Sequence, residues 1–165
     1  MAKKQAGTPA TARLTEAGVV FSTHAYAHDP RAASYGLEAA HELGLPAAHV
    51  FKTLVAQVDD DPVVAVVPVD GTCDLKALAA AAGGRRAQLV EPATAQRITG
   101  YVVGAISPLG QRRRLRTFVD ASARRLAVVY VSGGRRGLDI GLAPADLMAM
   151  TDGVYAALAR HSRPG

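Results

Sequence analysis

Apolar and polar positions change period several times along the chain, and each change marks an element. Thr8-Pro9 offers an N-cap and a first-turn proline, and Gly18 a stop, which predicts a helix over residues 9–17. VVFSTHAY (19–26) alternates as a strand does, HDPRAASYG reads as a loop, and 34–43 reads as a short helix closed by Gly44 and Pro46. VFKTLVAQV (50–58) and PVVAVVPVD (62–70) flank a run of three aspartates and predict a β-hairpin. Asp74 caps a predicted helix, LKALAAAA, that Gly83-Gly84 ends. AQLV reads as a strand and PATAQRI as a short helix beginning at its proline. TFVD, LAVVYVS and LDIGL are three further strands, APADLMAM is a helix with Pro144 near its start, and VYAALA is the last ordered segment. Strands outnumber helices and short turns join many of them. The predicted fold is therefore one α/β domain over residues 8–162, after a tail at 1–7, with a mixed, largely antiparallel sheet and not a doubly wound one.

Composition adds a compartment and a charge pattern. At 165 residues, 49% hydrophobic and 20% charged, the chain suits one globular domain with an Ala/Val/Leu core. Its apolar runs are too short and too interrupted to span a membrane, MAKKQAGTPA lacks the apolar stretch of a secretion signal, and the single cysteine, Cys73, forms no internal disulfide. A cytoplasmic protein is expected. Net charge is +5, but from Arg85 to Arg136 stand eleven arginines, no lysine and two acids, Glu91 and Asp120. That stretch carries +9 and the remainder −4, an asymmetry that suits a polyanion such as RNA or DNA. Fifteen arginines against four lysines also fits a bias of genome composition, which would explain the choice of Arg but not its clustering.

Candidate chemistry is sparse. His24 and His28 are four apart, but in a strand and loop without an acidic partner; they are either half of a metal site or ordinary hydrogen-bonding histidines. Cys73 stands beside Asp74, whose charge disfavours a thiolate, so it reads as structural. GAISP is not the G-x-S-x-G of a nucleophile elbow, and no Ser-His-Asp set can be assembled. Lys52 is more informative. In a strand it would share a face with Leu54 and Ala56, so its amine must reach solvent, pair, or meet a substrate anion. SGGRRG (132–137) reads as a hairpin turn, and VGAISPLG (103–110) as a loop able to present consecutive backbone N–H groups to an anion.

VFKTLVA, VVPVDGTCDLKALAAA, TGYVVGAISPLGQRRRL, VVYVSGGRRGLDI and LAPADLMAMT occur in order. Together they resemble the YbaK family, free-standing bacterial Cys-tRNA(Pro) deacylases related to the editing insertion of prolyl-tRNA synthetase. The resemblance runs from about Val19 to Arg160 and implies a curved, barrel-like mixed sheet. The family's essential lysine matches Lys52, followed by Thr53; its tyrosine after the first strand matches Tyr26, and a neighbouring aromatic position matches Tyr35. Its Gly-x-x-x-Pro loop matches Gly104 to Pro108, and its Ser-Gly-Gly-Lys-Arg-Gly-Leu-Asp segment matches Ser132 to Asp139. Two departures stand out: Ala105 replaces a second loop glycine, where its methyl is expected to crowd the aminoacyl group, and Gly141 stands where the family often has glutamate.

The resemblance implies roles. Lys52, Gly104 and Ser107 would act on the ester, the lysine by anchoring a phosphate or orienting the ester, the loop by backbone N–H groups on the carbonyl oxygen or ribose. Tyr26, Tyr35, Thr53, Ala105, Ile106, Pro108, Ser132 and Asp139 would hold the aminoacyl-adenosine end. Arg112, Arg113, Arg114, Arg116, Arg135 and Arg136 would follow the tRNA backbone. The implied partners are aminoacylated tRNA(Pro) and prolyl-tRNA synthetase, with no cofactor, metal or membrane. The implied reaction is attack of the substrate's own thiol on its ester. The same catalysis on Ala-tRNA(Pro), and a non-catalytic tRNA- or synthetase-binding module, are the alternatives.

Overall fold

The computed structural model describes residues 7–161, so the expected tail lies, apart from Gly7, outside the described residues. Helix α1 (Pro9–Glu16) opens on Thr8, whose side chain accepts the Thr11 N–H in a reciprocal capping box. The pattern-based elements recur with small shifts: β1 (Phe21–Ala25), α2 (Tyr35–Leu43), β2 (Phe51–Val58), β3 (Asp61–Pro68), then, after a two-residue strand β4 (Thr72–Cys73), α3 (Leu75–Ala81), β5 (Ala87–Leu89) and α4 (Pro92–Thr99). The chain continues through β6 (Arg116–Asp120), β7 (Val129–Arg135), β8 (Leu138–Leu142), α5 (Pro144–Thr151), β9 (Val154–Ala156) and β10 (Ala159–Arg160).

Five strands form one sheet in the order β5-β2-β3-β6-β9; β1-β8-β7 form a second, and β10 pairs with β4. The β2–β3 hairpin is antiparallel and turns through only Asp59 and Asp60, whereas β3–β6 and β6–β9 are parallel. Central β3 is covered on both faces, which is why its sequence is a nearly unbroken apolar run and not an alternation. Val64 and Val66 face the main core with Leu14, Phe51, Ile140 and Leu147. Val63, Ala65 and Val67 face a second cluster with Leu78 of α3, Phe118 and Leu158. The two larger sheets meet at a single bridge, Val50 to Tyr130, and among the described residues no closed barrel forms.

SGGRRG is not the turn predicted from its glycines. Strand β7 runs through Ser132-Gly133-Gly134-Arg135 with a register shift between Ser132 and Arg135, and the turn to β8 is displaced to Arg136-Gly137. Gly134 has φ +102°, and a Cβ there would lie 2.9 Å from Tyr101 and 3.0 Å from Thr8, so the two extra residues, Gly133 and Gly134, let β7 bend beneath the start of α1.

The last segment is held by one carboxylate. Asp120, at the end of β6, is buried and accepts the N–H groups of Leu158 and Ala159, both at 2.9 Å, and the Ser122 N–H and hydroxyl. Burial alone would raise its pKa, but these bonds hold the carboxyl below its usual range. Asp120→Ala leaves one buried and one part-buried N–H group unpaired and is expected to cost roughly 3 kcal/mol of unfolding free energy in urea. A loss below about 1 kcal/mol would show that β9 and β10 hold without it.

Candidate active site

β3 covers one side of β2 along its whole length, but on the other side β5 pairs only with Ala56 to Val58, and β7 is bridged only at Val50, just before the strand. The uncovered stretch, residues 51–55, borders a cavity of about 450 Å³, a size suited to a small ligand. Its walls bring together Tyr26, Tyr35, Lys52, Thr53, Gly104, Ile106, Ser132 and Asp139, eight of the residues expected from sequence. Ala105, Ser107 and Pro108 are buried in the loop and do not line it. The Ala105 methyl, fully buried, therefore does not crowd a ligand there. The Ser107 hydroxyl accepts the Leu109 N–H at 3.3 Å and is a brace of the loop. Sequence reasoning missed the apolar wall, Leu89, Val90, Pro92 and Ala95; the AQLV–PATAQRI junction was legible as a strand and helix, but nothing in it marked a cavity face.

Lys52 is half-buried on this wall, and no ion pair among the described residues includes it. At Lys52 the strand pairs only with β3, so this is a local edge, but that edge borders the cavity and is not open surface. The Thr53 hydroxyl beside it is buried and meets no hydrogen-bond partner among the described residues. An orphan of this kind costs about 1–3 kcal/mol unless a ligand completes it.

The sheet β1-β8-β7 supplies the opposite wall, with Asp139 in register between His24 and Ser132. Asp139 is 5% exposed, and burial pushes its carboxyl up to about 7. Burial, then Asp139 and Glu38, push the Tyr26 phenol up to about 12, so it stays a neutral hydroxyl. Between about pH 4 and 7 the unfolded chain releases the Asp139 proton while the native protein holds it, so this group lowers stability as pH rises through that window. The ceiling is about 4 kcal/mol at 1.36 kcal/mol per pKa unit. Asp139→Asn is expected to match wild type at pH 4 and to be more stable by 1 to about 4 kcal/mol at pH 8, read by chemical denaturation. Equal stability at both pH values would contradict the buried, proton-holding carboxyl.

The glycine loop follows α4. Gly100 closes α4 with φ +81°, and the loop is then tied at many points. Val103 N–H donates to Gln96 Oε1 at 2.9 Å, the Tyr101 hydroxyl to Leu109 O at 2.6 Å, and Gln111 Nε2 to Ser107 O at 2.9 Å. Ala105 N–H is spent on Val102 O, while those of Gly104, Ile106 and Ser107 meet no acceptor among the described residues. Such a loop presents donors with little reorganisation left to do.

Tyr35 lies across Gly104. A Cβ at Gly104, whose φ is +86°, would stand 2.6 Å from the Tyr35 ring. On its other contacts that ring packs at 5.5 Å from His28 and lies 5.3 Å from the Arg136 guanidinium. Arg136 also donates to Val103 O through Nε and Nη2, at 2.9 and 2.8 Å. This arginine, expected to meet tRNA, clamps the loop instead. Exposed Arg116 likewise bonds within the protein, to Ala82 O and over the Phe118 ring, and Arg114 pairs with Asp152. Arg112 and Arg113 are exposed, their N–H groups tied to Thr99 O and Ile98 O. Arg135 is partly exposed at the end of β7. His28 goes to Glu38 at 2.7 Å and His24 to Ser22 at 2.7 Å, so the two do not converge as a ligand pair. At Gly141 a Cβ would meet Ser22 and Tyr130 within 2.8 Å; their side chains occupy the room a larger residue would take.

A cation, a proton-holding carboxyl and free backbone donors around one cavity form a site with the equipment to bind and polarise an acyl group. Comparison with known proteins narrows the class. The aminoacyl-tRNA editing domain model matches residues 29–150. A protein of Enterococcus faecalis (strain ATCC 700802 / V583) named as a Cys-tRNA(Pro)/Cys-tRNA(Cys) deacylase, EbsC, is 36% identical over 118 residues, 71% of this chain and 72% of that one. The multifunctional Ser/Thr-tRNA deacylase ProXp-y of Escherichia coli strain K12 is 37% identical over 73 residues, 42% of this chain and 44% of its own length. A crystal structure described as a trans-editing enzyme for prolyl-tRNA synthetase shares the fold, with TM-score 0.78 and 20% identity over 94% of this chain and 99% of that one. The chain belongs to the aminoacyl-tRNA editing domain family, whose activity is aminoacyl-tRNA deacylation. No helix among the described residues is long and apolar enough to cross a membrane.

Proposed function

We propose that the protein is a trans-editing enzyme that removes cysteine from Cys-tRNA(Pro) made in error by prolyl-tRNA synthetase, in the cytoplasm where translation runs. The observation that carries this reading is the cavity itself. It offers a cation at Lys52, an unpaired acceptor and donor at Thr53, and free N–H groups at Gly104 and Ile106, yet no cysteine or histidine lines it. A nucleophile carried by the substrate suits that equipment. The cysteinyl sulfur attacks its own ester carbonyl, the bond from that carbon to the ribose 3′ oxygen breaks, and the thiol proton passes to the leaving oxygen. The product is a cyclic thiolactone and uncharged tRNA. Holding sulfur and carbonyl in contact is the main demand, and well-oriented intramolecular attack reaches effective molarities of roughly 10⁵–10⁸ M. Backbone N–H groups of the loop receive the developing oxyanion, Lys52 orients the ester or the terminal phosphate, and Asp139 with Ser132 hydrogen-bonds the amino group or ribose. Editing is needed because shape alone separates such similar small side chains by only about 10–200-fold.

The ProXp-y relative supports a second reading, in which the substrate is a seryl or threonyl ester. The alanyl ester loses its motive, because Ala105 lies outside the cavity wall. The test is ester loss from tRNA(Pro) charged in turn with cysteine, serine, alanine and proline, with the released product identified by mass. Preferential loss of the cysteinyl ester as thiolactone is the expected result. Preference for serine moves the assignment to the second reading, and tRNA binding without turnover would make this a binding module.

A further inference from the structure

The loop that borders the reaction cavity has a second face. Gly104 and Ile106 line the cavity, whereas Pro108, Gly110, Gln111 and Arg112 line a separate cleft of about 280 Å³. Two further arginines reach it from elsewhere, Arg13 from α1 and Arg114 from the start of β6's approach, and Thr117 and Thr151 are among its other lining residues. The hydroxyl and amide side-chain donors there are already used: the Thr117 hydroxyl donates to Leu115 O, that of Thr151 to Leu147 O, and Gln111 to Ser107 O. The guanidinium groups are thus the charged side chains the cleft offers a ligand. Arg13 pairs with exposed Glu16 at 3.6 Å and Arg114 with exposed Asp152, while Arg112 has no acid partner among the described residues. Exposed pairs of this kind hold their partners weakly, so both arginines can exchange a carboxylate for a better-matched anion.

Resting on the deacylase reading, we infer that this cleft binds a backbone phosphodiester of the tRNA, a few nucleotides from the ester held in the cavity. A guanidinium keeps its charge and presents a fork that matches phosphate oxygens. Ile106 and Pro108 are two residues apart, so the walls they contribute to the two sites are joined by no more than about 7 Å of chain. The loop is then a partition, with the aminoacyl end on one side and its phosphate track on the other. Arg116 and Arg136, although in the same basic stretch, do not contribute, because neither lines this cleft.

The test is binding of uncharged tRNA(Pro) by the full chain at several salt concentrations. Arg112→Ala is expected to weaken binding about tenfold and to reduce the slope of log affinity against log salt by about one. Arg13→Ala combined with it is expected to weaken binding further. Arg112→Lys, which keeps the charge, recovers most of the loss, and Arg85→Ala, an equal loss of charge outside the cleft, changes binding less than threefold. Unchanged affinity and slope in the Arg13/Arg112 double variant would overturn the cleft. Absence of ester cleavage by wild type, with the Arg112 effect on binding intact, would instead overturn the deacylase reading.

Discussion

Lys52→Ala is expected to lower kcat/KM for deacylation by roughly 10²–10³-fold while leaving thermal stability nearly unchanged. The magnitude is that of removing one preorganised electrostatic donor from a site where charge develops. The stability expectation follows from the position. Lys52 stands half-buried on the cavity wall with no ion pair among the described residues, so its removal strands no buried partner. Lys52→Arg is not expected to restore activity, since a planar fork does not occupy the place of a compact ammonium. Activity within threefold of wild type for Lys52→Ala would remove this residue from the chemistry.

Gly104→Ala is the second large effect. The residue has φ +86°, which strains any residue with a side chain, and the new methyl would collide with the Tyr35 ring. The ring cannot give way without leaving Arg136, and Arg136 holds the Val103 carbonyl that begins the loop. A fall of about 100-fold in kcat/KM is expected, as for loss of one oxyanion donor, with a stability loss of about 1–3 kcal/mol. Tyr35→Ala relieves the collision but not the backbone strain. In a double-mutant cycle the two substitutions should therefore cost less together than the sum of their separate effects. Full additivity would mean that the ring and the loop are not mechanically coupled.

The chain disclosed its elements better than its surfaces. Caps and stops such as Thr8, Asp74 and Gly44 act within a few residues, so the helices were legible close to their ends. The parallel pairing of β3 with β6 was not, because fifty residues of intervening chain separate partners that periodicity treats independently. Lys52 announced itself as a charge among apolar neighbours, and the cavity confirms that the anomaly had a place to point. Arginines carry no such signal. Arg112 and Arg136 look alike in sequence and both are exposed, yet the guanidinium of Arg136 rests on a carbonyl and a tyrosine ring. Within the Gly104–Pro108 motif, sequence adjacency also misled: the loop turns Gly104 and Ile106 outward to the cavity and Ala105 and Ser107 into the protein. The glycines of β7 looked like a turn because the contacts with α1 that require them come from more than a hundred residues away.

The most direct measurement is single-turnover loss of the ester from Cys-tRNA(Pro), with the wild-type protein in excess and Pro-tRNA(Pro) run beside it. Rapid loss of the cysteinyl ester, with the prolyl ester remaining at its spontaneous rate, is the predicted result. Cysteinyl ester decaying at the spontaneous rate while the tRNA is demonstrably bound would contradict the assignment of this cavity as the site of deacylation.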